Sequence, residues 1–132
     1  MVVQAESVQS DGAGILASSS DESSSTTVEV SGEVRSEYTS ISAGSSNGGT
    51  TEVTAGSVES ESSSGVYAYS SGEGSSVTVE VSGEISSEYN GINANSYNGG
   101  TAEVSAGSVE SESGPSVYAY SGGESSSTTV ER

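Results

Sequence analysis

A five-residue motif that returns at an almost constant interval constrains the fold of this chain more than any other feature. The motif reads Ile or Val, any residue, Ala, any residue, Ser, and its five copies start at Ile15, Ile41, Val66, Ile92 and Val117. Successive copies are offset by 26, 25, 26 and 25 residues. Such a period is typical of solenoids, in which each repeat forms one coil that stacks on the coil before it.

Two further alternating segments complete each repeat. The first segment reads Val, any residue, Val or Ala, as in Val28 to Val30, and the second reads Gly, any residue, Val or Ile, any residue, Ser, as in Gly32 to Ser36. The motif described above is the third segment. All three alternate with the period of two that a β-strand imposes. A polar connector such as Ser46 to Thr50 then turns the chain into the next coil.

These segments predict an all-β fold, a right-handed parallel β-helix (β-solenoid) with about 25 residues and three short strands per coil. A single domain is expected over 1–132, with five coils and a terminal strand. The predicted coils cover 2–27, 28–52, 53–78, 79–103 and 104–129, and the terminal strand covers 129–132. An antiparallel sandwich of short strands is the alternative, but it would not require apolar columns in phase in every coil.

Two columns of Ser are predicted to face inward at the corners that end the second and third segments. The columns are Ser10, Ser36, Ser60, Ser87, Ser111 and Ser19, Ser45, Ser70, Ser96, Ser121. A buried hydroxyl needs a partner, so we expect each to bond the backbone at its corner or the Ser one coil away. A nucleophilic role is not expected, because the chain has no His and no Lys and the same Ser recurs in every coil.

Composition excludes several classes of function. The net charge is −17 and the only basic residues are Arg35 and Arg132, so we predict no nucleic-acid partner. No apolar run approaches the roughly 18 residues of a membrane span, so we predict no membrane insertion. Without Cys or His there is no thiolate site and no imidazole base. No coil differs from the others as a single active site would, and we predict that the chain is not an enzyme.

An acidic column follows the second segment. It consists of Asp11, Glu37, Glu61, Glu88 and Glu112. Carboxylates stacked about 5 Å apart repel each other unless they are screened or bridged, and their oxygens are ligands that Ca²⁺ accepts. The column therefore suggests a Ca²⁺ ladder, and no other cofactor is predicted. The alternative is a solvated face that keeps a rod soluble.

The outward positions of the third segment form a second candidate surface. It consists of Tyr67, Tyr69, Asn93, Asn95, Tyr118 and Tyr120. Tyr and Asn in a flat array can stack on sugars and hydrogen-bond a glycan or a protein partner. The alternative is that Tyr is present only because it is a good strand former.

The coils, rich in Ser, Gly and Glu and exemplified by Val28 to Glu33 and Ile92 to Ser96, resemble repetitive parallel β-helix proteins of bacterial surfaces, such as adhesins and stalks. The resemblance covers nearly the whole chain and depends on pattern and composition. It implies an extracellular or cell-surface rod, often one segment of a longer protein or filament. The near-identity of copies 51 residues apart, such as Val28 to Glu33 and Val79 to Glu84, would equally suit a designed solenoid with no natural function.

The leading functional hypothesis is a non-enzymatic structural or interaction rod that associates end to end through unpaired strand edges. Association would require one terminal strand to move, because the first segment of the next molecule would compete with Val130 for one place. The alternative is a carbohydrate- or protein-binding adhesin module that uses the Tyr and Asn face.

Overall fold

The computed structural model describes residues 1–98, 100–123 and, for the backbone, 127–131. These residues form twelve strands and no helix, so the described ranges contain no helical membrane span. The strands are β1 Val2–Ala5, β2 Val8–Ser10, β3 Ile15–Ser19, β4 Ser25–Ser36, β5 Ile41–Ser45, β6 Thr50–Ser60, β7 Val66–Ser70, β8 Ser76–Ser87, β9 Ile92–Ser96, β10 Thr101–Ser111, β11 Val117–Ser121 and β12 Ser127–Glu131. Arg132, which was predicted to lie in the terminal strand, is outside the described residues.

The strands form two parallel sheets that follow the sequence repeat. The larger sheet has the order β1-β4-β6-β8-β10-β12, with β2 also paired to β4, and the smaller has the order β11-β9-β7-β5-β3. Each strand pairs with its equivalent one coil away, so that Ile41 lies opposite Val66 and Val66 lies opposite Ile92. The predicted all-β solenoid of about five coils, with a spacing of roughly 25 residues, is confirmed.

The first and second segments were predicted as separate strands. From the second coil onward they form one continuous strand with a bend between them. Strands β4, β6, β8 and β10 contain both segments, and the register shifts at the bend, for example between Val30 and Glu33. From the third coil onward, a glycine at the bend stacks on the glycine of the coil before. A Cβ atom on Gly56 would lie 2.6 Å from the Gly32 carbonyl oxygen. Only glycine permits this approach, which lets the strand continue through the bend.

The core is a single thin cluster of Val, Ile and Ala, which come from the three predicted apolar columns except for Val77. Its central members are fully buried, including Val53, Ile85 and Ile92, each with 0–2% of its surface exposed. Burial is incomplete at both ends of the rod, where Val3 and Val117 are only partly covered. Each coil therefore buries its apolar side chains against the coils above and below, as expected for a solenoid.

Replacing a central core residue should cost far more than replacing an outward one in the same segment. Ile92→Ala should lower the free energy of unfolding by about 2–5 kcal/mol, because the neighbouring coils cannot collapse into the cavity without breaking their register. Leu16→Ala is the control, since Leu16 is 73% exposed, and it should change the stability by less than about 0.5 kcal/mol. Chemical denaturation followed by circular dichroism measures both, and equal losses would contradict this packing.

Candidate functional site

The corner after the third segment is held by a buried ladder of hydroxyl groups. Ser45, Ser70 and Ser96 are all fully buried. The Oγ atoms of Ser45 and Ser70 lie 3.2 Å apart, so the predicted contact between Ser residues of adjacent coils is confirmed for this pair. The Ser70 hydroxyl also donates to the Gly49 carbonyl at 2.7 Å. This ladder fixes the end of each strand that carries the Tyr and Asn side chains.

A column of Thr side chains, not anticipated from the sequence, ties the larger sheet to this corner. The Thr26 hydroxyl donates to the Gly44 carbonyl at 2.7 Å, and the Thr51 hydroxyl donates to the Tyr69 carbonyl at 2.8 Å. In the next coil Val77 occupies this position, and Ser75 contacts the Ser96 hydroxyl at 3.1 Å and donates to the Tyr97 carbonyl at 3.0 Å. No buried side-chain polar atom lacks a hydrogen-bond partner in the described part of the chain. These buried hydrogen bonds therefore fix the backbone of the strands whose outward positions carry the Tyr and Asn side chains.

The other Ser column bonds mainly to backbone carbonyls. Ser36 and Ser60 both donate to the Tyr38 carbonyl, at 2.7 and 2.5 Å. Ser40, which was not singled out from the sequence, lies 2.8 Å from the Ser36 hydroxyl and donates to the Glu59 carbonyl at 2.5 Å. Two coils thus share one carbonyl acceptor, which connects them without a direct bond between Ser36 and Ser60.

The residues of the acidic column lie at the corner after the second segment, and among the residues that the structure describes their carboxylates do not gather into a cluster. Glu61 and Glu112 donate their backbone amides to the Ser carbonyls one coil away, at 3.0 and 3.1 Å, so the column follows the coil repeat. Its side chains are exposed except for the half-buried Glu88. Within the described ranges, no group of three potential ligands could hold a metal ion. Calcium binding by Asp11, Glu37, Glu61, Glu88 and Glu112 stays a prediction.

Arg35 provides the positive charge beside this column. Its Nη2 atom lies 3.2 Å from Glu59 Oε1 and 3.5 Å from Glu61 Oε1. The Arg35 side chain is 49% exposed, so each contact contributes at most about 1 kcal/mol, and less as salt screens it. Arg35 thus offsets two of the many carboxylates locally.

The outward face of the larger sheet keeps its acidic residues apart. In the first segment, Glu52 lies between Thr27 and Thr78, and Glu80 lies between Thr54 and Ser105. Like charges directly opposite each other destabilise a sheet, and this alternation prevents that arrangement. The face is therefore a pattern of hydroxyl and carboxylate groups, with acidic residues in direct register only at the corner column.

The predicted Tyr and Asn face forms two adjacent columns on the smaller sheet. In one column Asn93 lies between Tyr67 and Tyr118, and in the other Asn95 lies between Tyr69 and Tyr120. Coils that carry a pair of Tyr thus alternate with coils that carry smaller side chains. Asn95 is only 5% exposed, and its Nδ2 donates to Asn93 Oδ1 at 2.6 Å. Asn95 therefore orients Asn93, which is the more accessible amide.

Gly44 leaves room for the Tyr69 ring. A Cβ atom on Gly44 would lie 2.1 Å from the Tyr69 ring, so this ring occupies the space above Gly44. The Tyr67 and Tyr69 ring centroids are 5.8 Å apart, with a tilt of 45°. Burial raises the pKa of the Tyr67 phenol, and the phenols of Tyr97 and Tyr69 add to the shift. The pair is thus packed as one aromatic patch.

Tyr97 extends the face, although the sequence reasoning did not include it. Its ring centroid lies 5.8 Å from that of Tyr120 with a tilt of 50°, and the two residues are 40% and 43% exposed. Tyr97 follows the last Ser of its segment, where the equivalent residues are Ser46, Ser71 and Gly122. That departure from the small residues of the other coils was the available signal.

Thr51→Val tests whether the hydroxyl column stabilises the corner. Valine keeps the shape, and Val77 shows that it fits the column, but the Tyr69 carbonyl loses its donor. We expect a loss of about 1–2 kcal/mol in the free energy of unfolding. Thr54→Val, on the outward side of the same strand, is the matched control and should change it by less than about 0.5 kcal/mol. Equal effects in urea denaturation would contradict an anchoring role for Thr51.

The melting temperature in NaCl and CaCl₂ at matched ionic strength tests the calcium ladder. Screening of the net charge of −17 by itself should raise the melting temperature equally in both salts. A larger rise in CaCl₂ that disappears in Glu61→Gln and Glu88→Gln would instead establish a calcium site. Ser62→Ala, next to the column, is the control variant.

The described surface thus offers an acidic corner, a mixed Thr and Glu face and an uncharged aromatic face. The aromatic face consists of Tyr67, Tyr69, Asn93, Tyr97, Tyr118 and Tyr120, all from three consecutive coils. It combines flat apolar rings with hydroxyl and amide groups, which suits contact with a neutral, partly polar ligand. No protein-family model, curated protein or solved structure matches this chain.

Proposed function

We propose that this chain is a non-enzymatic structural and interaction rod, exposed outside the cell or at its surface. The observation that supports the proposal is the parallel pairing of each strand with its equivalent one coil away in both sheets, which repeats the inward and outward positions of each segment once per coil. At about 4.8 Å per coil, five coils and one further strand make a rod roughly 25 Å long. Such a rod holds its outward columns at fixed distances from one another. The resemblance to surface β-helix proteins is consistent with this role.

The proposal includes association end to end. Within the described ranges, the outermost strands are β1, β2 and β12 in the larger sheet and β3 and β11 in the smaller, and each has one edge without a partner strand. Exposed edges of this kind pair readily with another chain. A second copy that stacks in register needs β1 or β12 to move, because both occupy the same place in their coils. The rod would then lengthen through the same parallel strand pairing that joins its own coils.

Val2→Pro should abolish filaments that grow on the free edge of β1 with β12 displaced, and it should not unfold the rod. The Met1 carbonyl accepts from the Thr27 amide at 2.8 Å, so the alternation along β1 directs the Val2 amide away from β4. Proline removes that amide and blocks the free edge. Val2→Thr keeps the amide and is the matched control. Electron micrographs should show filaments for the unmodified chain and Val2→Thr only, and a monomer at all concentrations in sedimentation would reject self-association.

The second candidate function is binding of a carbohydrate or protein partner by the aromatic face. Five Tyr rings and the Asn93 amide, all at least partly exposed, are gathered on three coils, and none of the columns there carries a charge. The rings can stack on the apolar face of a sugar, while the hydroxyl and amide groups bond its hydroxyls. The two-coil separation of Tyr67 and Tyr118, about 9.6 Å, is comparable to the length of a disaccharide. An extended neutral glycan is therefore the favoured ligand class.

Tyr118→Ala should weaken glycan binding about tenfold or more, as expected when a central aromatic contact is lost. Tyr89→Ala is the matched control, because Tyr89 is 53% exposed but lies at a corner away from the face. Affinity for ligands selected on an array of neutral oligosaccharides provides the measurement. No binding by the unmodified chain, or equal loss in both variants, would reject this candidate function and leave the rod proposal unaffected.

A further inference from the structure

Two Tyr rings from adjacent coils are held side by side at the surface. Tyr97 directly follows β9, and Tyr120 lies in β11, the strand paired with β9. Their ring centroids are 5.8 Å apart with a tilt of 50°, and 40% and 43% of their surfaces are exposed. The rings are thus close to each other and open to a reagent in solution at the same time.

The backbone around both residues restricts their separation. The Tyr97 amide donates to the Ser70 carbonyl at 3.0 Å, and the Gly122 amide donates to the Ser96 carbonyl at the same distance. A Cβ atom on Gly122 would lie 2.5 Å from the Tyr120 hydroxyl oxygen, so the ring uses space that any other residue there would fill. Two groups held near their reacting distance have a high effective concentration, which favours a reaction between them over one between molecules.

We propose that Tyr97 and Tyr120 form a site of oxidative cross-linking, at which a one-electron oxidant such as a peroxidase with hydrogen peroxide joins the rings as dityrosine. Each phenol loses one electron and one proton and becomes a phenoxyl radical. The radicals form a carbon–carbon bond between their ortho positions, and the two ring hydrogens then move to the oxygens to restore both phenols. Hydrogen peroxide accepts the two electrons and two protons and is reduced to two molecules of water.

The other Tyr residues are poorer sites for a bond between coils. Tyr38 and Tyr89 are 54% and 53% exposed, but neither has a ring contact with another described aromatic side chain. They can couple only between molecules. Tyr67 and Tyr69 are in contact but belong to one strand, so a bond between them joins no coils. Coupling of Tyr97 to Tyr120 instead attaches the coil of β11 covalently to the coil of β9.

A peptide map distinguishes these reactions. Cleavage after Glu places Tyr97 in the peptide 89–103 and Tyr120 in 113–124, whereas Tyr67 and Tyr69 lie together in 62–73. Dilute protein treated with peroxidase and hydrogen peroxide should yield peptide 89–103 linked to 113–124, with the loss of two hydrogen atoms, from material that migrates as a monomer. The linked protein should also melt at a higher temperature than the untreated protein, because the end coil can no longer separate.

Conservative variants assign the bond. Tyr97→Phe and Tyr120→Phe should each lose the linked peptide, while Tyr89→Phe and Tyr118→Phe, whose residues lie in the same two peptides, should retain it. Circular dichroism confirms that all four variants keep the fold. The proposal is overturned if the linked peptide persists in Tyr97→Phe, disappears in Tyr89→Phe, or arises only from dimers.

Discussion

The backbone ladder between coils is the interaction on which the rest of this structure depends. Parallel strands at a spacing of about 4.8 Å leave each residue above its equivalent, so every inward position must suit a stack of side chains. The bend in the larger sheet shows how strict this requirement is. Gly56 and Gly83 each approach the carbonyl of the glycine below so closely that a Cβ would lie 2.6 Å from its oxygen. A larger residue at one level would force two coils apart.

Because their hydroxyls are hydrogen-bonded, inward Ser and Thr can complete the small core at its corners. The Val and Ile columns supply the apolar interior, but the corners are completed by Ser and Thr, whose hydroxyls reach carbonyls that the ladder leaves available. A buried hydroxyl with a partner costs little, whereas one without a partner costs about 1–3 kcal/mol. Val77 occupies the position of Thr51 in the next coil, where Ser75 contacts the Ser96 hydroxyl as Thr51 contacts that of Ser45, so the corner accommodates either residue.

Much of this arrangement could be predicted from the sequence, because residues that stack in the core recur at a nearly constant interval along the chain. The period, the parallel pairing, the apolar columns and the grouping of Tyr67, Asn93 and Tyr118 all follow from counting residues. The bend was misplaced as a strand boundary because glycine usually interrupts strands, whereas here it permits a close approach. Thr26 and Thr51 were missed because their burial depends on carbonyls of another segment. The burial of Asn95 and the position of Tyr97 depend on side-chain packing, which no period specifies.

The alternation of Tyr coils with coils of small side chains gives the rod a natural unit of growth. The third segments of the last four coils carry the Tyr pair in every second coil, at Tyr67 and Tyr69 and again 51 residues later at Tyr118 and Tyr120, with the smaller Ser42, Gly44, Asn93 and Asn95 in the other two coils. Gain or loss of two coils would therefore lengthen or shorten the molecule and leave its surface pattern in phase. Loss of the single coil that contains β9 would preserve the core but place Tyr67 and Tyr69 directly against the Tyr residues of β11. The inward pattern repeats with every coil, whereas the Tyr pattern on the surface repeats with every second coil.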